Sequence, residues 1–182
     1  MHRFDPVAKL TPNELENVLK EGRRATEDQL AGHLWHGLSL VMAQPLFLLF
    51  GRFGKTFHLD PNTGRLRGWN VRMRQAEGWV PFTFRNKQVA YGFYDVELNP
   101  ASHKVAATYP NAFLIDYGKA GNRAWDPLGR VRDWVVAVND DLLLGRMYLA
   151  FGGRSVATPS YFALARGEAL AASDLASPPA TR

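Results

Sequence analysis

Two pairs of neighbouring polar residues stand in apolar, strand-like segments, where a charge is costly unless it is paired or used. These pairs are Asp116-Tyr117 and Arg132-Asp133. An inward Arg–Asp pair could anchor a carboxylate or an enolate and shift the pKa of a neighbouring group. The catalytic candidates are therefore Asp116, Tyr117, Arg132 and a histidine, His36. The structural alternative is an ion pair that only closes the end of the fold.

Arg146 lies in another apolar register, together with Leu142, Leu144 and Tyr148. Residues two apart share one face of a strand, so these four side chains should lie together. The opposite register is apolar as well. The sequence predicts that Arg146 points into the interior, where it acts as a ligand anchor or as a structural counter-ion.

Aromatic residues give the strongest indication of a binding cavity, since they make up 12% of the chain. Pockets for small molecules are typically apolar and aromatic, with a few placed polar groups. The structural alternative is that these rings fill the interior completely. The ligand-binding candidates are Trp35, Trp69, Phe82, Phe84, Tyr91, Phe93, Trp134, Arg146 and Tyr148.

Metal and thiol chemistry find little support. The chain has no cysteine, which excludes disulfides, thiolate metal sites and cysteine nucleophiles. His33 and His36 could meet on one face of a helix, with His58 or His103 as a third ligand, but in a strand they point to opposite faces. No acidic residue stands at motif spacing. We predict no metal and no other cofactor, with haem on a single histidine left open.

Nucleotide binding and serine catalysis are also unsupported. Gly54-Lys55-Thr56 resembles the end of a phosphate-binding loop, but the motif requires a further glycine where this chain has Leu49. The Gly-x-Ser-x-Gly pattern of serine nucleophiles is absent.

The charge is basic and uneven. The chain has 22 Lys and Arg against 17 Asp and Glu, a net charge of +5. A solvated face of strands explains the basic excess most simply, an anionic small ligand is the second interpretation, and nucleic acid is the third. The excess lies at Arg52, Lys55, Arg65, Arg67, Arg72, Arg74, Arg85 and Lys87.

Helical signals come early in the chain. Thr11 and Glu14 form a capping box around Pro12, which suits the first position of a helix. Thr26 caps a second short turn. The segment Pro45–Phe50 is apolar on every side, which predicts a buried helix that plugs an opening.

Strand signals dominate from Lys55 onward, at the spacing typical of antiparallel β proteins. Helices precede the strands and do not alternate with them, which disfavours βαβ units. A closed barrel is favoured over a sandwich because closure removes the edge strands. Gly68 marks a change of apolar parity that a β-bulge would produce. The predicted strands are 55–59, 65–74, 79–85, 89–98, 104–109, 112–117, 130–138, 142–151 and 155–166, with 34–42 as a tenth.

Two stretches resemble the calycins, the superfamily of lipocalins and fatty-acid-binding proteins. The first is Gly32-His33-Leu34-Trp35-His36-Gly37, which is also similar to the G-x-W-x-G motif with one extra residue before the tryptophan. The second runs from Arg130 to Leu149 and is similar to the end of small lipocalin-like bacterial domains. The resemblance implies a barrel with an apolar cavity that binds, transports or converts a small hydrophobic molecule. It implies no catalytic residues.

The predicted fold is a mainly β, antiparallel, up-and-down lipocalin-like barrel of about 9–10 strands, with an N-terminal helix and a short helix across one mouth. We assign residues 1–30 to a helical segment, 31–168 to the barrel and 169–182 to a disordered tail. The N-terminus lacks the apolar core of a signal peptide, and the longest apolar run is too short to span a bilayer, so we expect a cytoplasmic protein.

The predicted function is the binding of a small hydrophobic ligand, carboxylated or not, in the barrel cavity. The alternative is an isomerase or cyclase that needs no cofactor and works in the same cavity. The third interpretation is an accessory protein that contacts nucleic acid through the basic residues. A homodimer is left open.

Overall fold

The computed structural model describes residues 2–41, 51–76, 78–85, 87–120, 122 and 125–171. Among these residues it contains three short α-helices, α1 (Asp5–Ala8), α2 (Pro12–Glu21) and α3 (Glu27–Leu30). The strands are β1 (His33–Val41), β2 (Arg52–Leu59), β3 (Leu66–Arg72), β4 (Thr83–Phe84), β5 (Lys87–Gln88), β6 (Ala90–Glu97), β7 (Phe113–Asp116), β8 (Val131–Ala137), β9 (Leu142–Phe151) and β10 (Arg154–Ala169).

Eight strands close into an antiparallel barrel in the order β1-β10-β9-β8-β7-β6-β3-β2. The prediction of a mainly β, antiparallel barrel is confirmed. The barrel has fewer strands than the 9–10 predicted, because β4 and β5 form a separate hairpin. The predicted strand at 104–109 is instead a 3₁₀ turn, Lys104–Ala107.

The early helices form where the capping residues predict them. Thr11 Oγ1 accepts the backbone N–H of Glu14, and Glu14 Oε2 accepts that of Thr11 at 2.7 Å. Helix α2 then buries Leu15 and Leu19 against the outer wall of the barrel. Thr26 caps α3 through Gln29, as the sequence indicates. Within the described residues, every helix is too short or too polar to cross a membrane.

The barrel wall is buried on both of its faces over much of its circumference. Residues that contact helices α1 and α2 mark the outer face, and their neighbours in each strand mark the interior because alternate side chains point to opposite faces. The outer face includes Trp134, Val136, Leu144 and Tyr148 under the helices, and Leu34, Trp69, Val71 and Met73 elsewhere. The interior includes Trp35, Phe57, Tyr94, Phe113, Ile115, Tyr117, Val135, Leu143, Phe162 and Leu164.

The two ends of the barrel differ. At one, which we call the helix end, buried Leu30 of α3 packs into the interior cluster and accepts the Trp35 indole N–H at 3.2 Å. The other, the loop end, is where segments 73–89, 117–130 and 152–153 connect the strands. The helix predicted at Pro45–Phe50 lies outside the described residues, as do residues 172–182 of the predicted tail 169–182. Ala169 is the last residue of β10, and the backbone N–H of Leu170 donates to the carbonyl of Gly32 at 2.9 Å.

The predicted bulge lies on a different strand from the one that carries Gly68. The register between β3 and β6 shifts between Gly68 and Asn70, and Gly92 in β6 has a φ of +55°. The extra residue is in β6, so that Tyr91 and Tyr94 both pair with inward-facing positions of β3. The apolar parity of β3 changes simply because that strand is buried on both faces.

Candidate functional site

A cluster of four polar side chains lies inside the barrel. Lys55 of β2, Asn70 of β3, Asp133 of β8 and Tyr117 just after β7 are each less than 5% exposed. Lys55 alternates along β2 with Phe53 and Phe57, which also point inward. Because β2 and β3 lie away from β7 and β8 in the strand order, the cluster crosses the interior of the barrel.

Lys55 is the centre of this cluster. Its Nζ lies 3.1 Å from Asp133 Oδ2, and it donates to Asn70 Oδ1 at 3.0 Å and to the Tyr117 hydroxyl. These contacts use all three donors of the ammonium group. The Tyr117 hydroxyl lies 3.3 Å from both Asn70 Oδ1 and Asp133 Oδ2, which is long for an O–H donor. Of the donors in this cluster, the Tyr117 hydroxyl therefore makes the weakest hydrogen bonds.

Four aromatic rings surround the Lys55 ammonium. The ring centroids of Tyr94 and Tyr117 are each 4.9 Å from Nζ, and those of Phe162 and Phe53 are 5.6 and 5.8 Å away. Ring faces attract a cation at these distances, and more strongly where water is excluded. The rings therefore offset part of the free energy lost when the ammonium leaves water.

Three of these rings pack against glycines in neighbouring strands. A Cβ added at any of these glycines would lie within 3.0 Å of ring atoms, so a larger residue would displace the ring. The pairs are Gly145 with Phe162, Gly37 with Phe53, and Gly68 with Tyr94. The strand sequences thus make room for the aromatic rings around Lys55.

Burial shifts the protonation equilibria of the whole cluster toward the neutral forms. It lowers the pKa of Lys55, while the charge of Asp133 opposes that shift. It raises the pKa of Asp133 against the opposing effect of Lys55. It raises the pKa of Tyr94 and Tyr117 well above the usual 10.0. A charged pair in such surroundings is weak support for stability, and perturbed groups of this kind concentrate at functional sites.

Of the four catalytic candidates, Tyr117 lies in this cluster. Asp116 and Arg132 lie on the outer face as a cross-strand pair, with Arg132 Nε 3.0 Å from Asp116 Oδ1. Arg132 also donates to the carbonyl of Gly129 at 3.1 Å. Here the geometry agrees with the structural alternative, an ion pair near the end of the barrel.

His36 lies on the outer wall beside a pocket of about 290 Å³. Arg3, Phe4, Trp79 and Val80 also line this pocket. His36 Nε2 lies 2.9 Å from Glu168 Oε2, and its ring stacks on Trp79 at 5.4 Å. Burial lowers the pKa of His36 despite the nearby carboxylate. The pocket is thus separated from Lys55 by the barrel wall.

The predicted ligand-binding residues divide among three environments. Trp35 is in the interior, and Tyr91 pairs in register with inward-facing Asn70. Phe82 and Phe84 are exposed beside and in the β4–β5 hairpin. The outer wall holds Trp69, Phe93, Trp134, Arg146 and Tyr148.

Arg146 does not point into the barrel, which corrects the predicted direction. Its Nη1 lies 2.7 Å from Glu16 Oε2 of α2 and donates to the Tyr109 hydroxyl at 3.2 Å. The Tyr161 hydroxyl donates to the same Glu16 oxygen at 3.0 Å. Both registers of β9 are apolar because α2 covers the outer one, so parity alone did not identify the interior.

The sequence analysis placed Lys55 among the basic residues, for which a solvated face was the favoured interpretation. Tyr94 and Phe162 counted only among the aromatic residues that indicate a cavity, and Asn70 had no role. A signal for Lys55 was nonetheless present, since it shares strand parity with two phenylalanines, Phe53 and Phe57. Within the described part of the chain, no three His, Asp or Glu residues come together as a metal site would require.

No known protein family matches the sequence. No curated protein matches it either. A solved structure that is similar to this chain is the crystal structure of a protein from Thermomonospora curvata. The two chains are 16% identical and superpose with a TM-score of 0.41, over 92% of this chain and 100% of the other.

Proposed function

We propose that the barrel binds a small apolar molecule that carries one oxygen acceptor, and that the Tyr117 hydroxyl donates to this oxygen beside Lys55. The observation that carries the proposal is a fully buried ammonium group surrounded by aromatic side chains. Beside it, the Tyr117 hydroxyl donates only to acceptors at 3.3 Å, so its hydrogen bonds are long. A barrel of eight strands has room for interior side chains or for one small ligand.

The loop end is the side from which a ligand would enter. At the helix end, buried Leu30 of α3 packs into the interior cluster, whereas no α-helix contact of this kind is described at the loop end. The interior-facing residues Phe53, Met147 and Leu149, which lie toward the loop end, are only partly buried. A ligand from the loop end would therefore meet apolar side chains first and the polar cluster last.

Charge balance favours a neutral acceptor such as a ketone or an ester over a carboxylate. Asp133 already neutralises Lys55 at 3.1 Å, so a carboxylate would add an unbalanced negative charge in a site withdrawn from water. A carbonyl oxygen needs only the Tyr117 donor. The resemblance to lipocalins, for which the closed eight-strand barrel gives support, agrees with a ligand of this kind.

The same observation supports a second candidate, an isomerase that acts on a carbonyl compound. A tyrosine hydroxyl next to an ammonium group can polarise a carbonyl, and an adjacent carboxylate can accept a proton. Tyr117, Lys55 and Asp133 would carry these roles, since Asp116, Arg132 and His36 lie outside the interior.

The test is displacement of a neutral fluorescent probe, 1-aminoanthracene, by three molecules of equal chain length: undecane, 2-undecanone and undecanoic acid. We expect the ketone to bind most tightly. In Tyr117→Phe the ketone should lose about fivefold in affinity, since a net hydrogen bond contributes about 1 kcal/mol, while undecane should bind as before. Exchange of the ketone's α-hydrogens for deuterium in D₂O tests the second candidate, because removal and return of an α-proton is the step that Asp133 and Tyr117 would catalyse.

The matched control is Tyr148→Phe, which removes a hydroxyl from the outer wall. It should leave all three affinities unchanged. The proposal fails if none of the molecules displaces the probe, or if Tyr117→Phe weakens ketone and hydrocarbon equally. Preference for the acid would overturn the charge-balance argument and favour the carboxylated ligand.

A further inference from the structure

Exposed apolar side chains concentrate at the loop end. Of the seven large hydrophobic residues that are exposed in the described part of the chain, six lie in or beside the loop-end segments. Trp125 is 75% exposed and Phe84 is 60% exposed. Exposed apolar residues are ordinary when scattered, but a group at one end of a molecule marks an interaction surface. The six are Val80, Phe82, Phe84, Trp125, Phe151 and Val156.

Each exposed phenylalanine in this group has an arginine over its ring. The guanidinium carbons of Arg72, Arg85 and Arg130 lie 5.2, 5.4 and 5.5 Å from the ring centroids. The rings concerned are those of Phe82, Phe84 and Phe151 respectively. Apolar and cationic groups are therefore interleaved over one surface and not separated into two patches.

The loop end is basic and the helix end is not. Seven exposed basic residues lie in or beside the loop-end segments, and one of them, Lys119, is paired with Glu97. Asp126, the acidic residue described in those segments, accepts a hydrogen bond from the backbone N–H of Leu128. The helix-end segments 60–65, 98–112 and 138–141 contain two basic and three acidic residues. The other six basic residues are Arg72, Arg74, Arg85, Lys87, Arg130 and Arg154.

We infer that the loop end docks on an anionic lipid surface. Phenylalanine, tryptophan and valine side chains enter the boundary between headgroups and acyl chains, and arginine and lysine remain at the level of the phosphates. Each basic residue near an anionic surface contributes about fivefold to binding. Docking in this orientation would place the mouth of the barrel against the bilayer. The inference does not depend on what the barrel binds.

Single-stranded nucleic acid is the other class of partner that combines basic and aromatic residues. The aliphatic members of the loop-end group, Val80 and Val156, favour the lipid surface because they bury apolar area in a bilayer but cannot stack on bases. The lipid surface is therefore the partner that uses every kind of side chain in the group.

The experiment is flotation of the purified full chain with vesicles, one set of phosphatidylcholine alone and one containing a quarter of phosphatidylglycerol. We expect binding to the anionic set, weakened by added salt. The variant Lys87→Gln/Arg154→Gln should bind about 25-fold more weakly, since it removes two basic residues, and Phe82→Ser/Phe84→Ser should bind about tenfold more weakly. Their thermal unfolding should match that of the parent protein, since all four side chains are exposed.

The matched controls lie at the helix end, where Leu59 is exposed on β2 and Arg65 is exposed in the following turn. Leu59→Ser and Arg65→Gln should bind anionic vesicles as the parent does. Equal binding to both vesicle sets, no binding at all, or equal losses in the controls would overturn the inference. So would loss of oligodeoxythymidylate binding in the same variants without any vesicle binding, which would assign the surface to nucleic acid.

Discussion

Lys55 Nζ and Asp133 Oδ2 lie 3.1 Å apart in the barrel interior, on strands that are not neighbours in the sheet. The pair joins opposite walls of the barrel with both charges withdrawn from water. The free energy of folding responds differently to the loss of one member of such a pair and to the loss of both. Removing one partner leaves an uncompensated buried charge, whereas removing both leaves an apolar interior.

Lys55→Met should destabilise the protein by about 3–5 kcal/mol, because it leaves Asp133 buried without its cation. The double variant Lys55→Met/Asp133→Leu should recover most of that loss. Urea unfolding of the parent, the single and the double variant measures both effects. Lys119→Met, which removes a half-exposed lysine paired with Glu97, is the control and should change stability by less than about 1 kcal/mol. An unchanged single variant would mean that the two charges are not coupled.

Gly145→Ala should destabilise the protein by about 1–3 kcal/mol, because the added methyl group overlaps the Phe162 ring. Phe162→Leu in the same chain should restore part of the loss by making room for the methyl group. Gly129→Ala is the control, since nothing lies within 4 Å of a Cβ at that position. Thermal unfolding compares the variants. Equal effects at the two glycines would show that ring packing is not the cause.

Arg146→Met should destabilise the protein by about 1–3 kcal/mol without changing ligand affinity, because Arg146 holds α2 to the outer wall through Glu16. The same substitution at Arg23, whose partner Asp140 is exposed, should change stability by less than about 1 kcal/mol. Urea unfolding and the probe-displacement assay measure the two properties. Loss of ligand affinity with unchanged stability would contradict the outer-wall position of Arg146 and indicate that its side chain lies in the barrel interior.

The buried tyrosines should make the protein less stable as the pH rises above 10. Burial raises the pKa of Tyr91 and Tyr161 to about 12, and that of Tyr94 and Tyr117 well above the usual 10.0. The folded chain therefore retains phenolic protons that the unfolded chain has lost, so unfolding becomes easier with rising pH. Below pH 10 this contribution to stability should be fully present.

Phenolate absorbance checks this prediction directly. The urea-unfolded protein should titrate all six tyrosines together near the usual value, and the native protein should titrate fewer between pH 10 and about 12. Tyr117→Phe should leave the early part of the native titration unchanged. If all six phenols titrate alike in the native state, the interior tyrosines are accessible to water.

Local residue chemistry determined much of the fold. The capping box at Thr11 and Glu14 predicts the start of α2, and Thr26 predicts that of α3. Apolar alternation and the order of elements predict an antiparallel barrel. These features depend on residues close together in the chain, so the amino-acid sequence is sufficient to predict them. The sequence also indicated that the pairs Asp116-Tyr117 and Arg132-Asp133 stand in apolar segments, where a charge needs a partner.

Ring closure of the barrel decided which of two apolar registers faces inward. Asp116 and Arg146 share registers with apolar neighbours, yet both lie on the outer wall because helices, loops or ion pairs cover it. Lys55 and Asp133 are 78 residues apart, and only closure of the sheet brings β2 and β8 to opposite sides of one interior. A two-residue period determines which side chains share a face but not which face is inside, because that depends on strands distant in the chain.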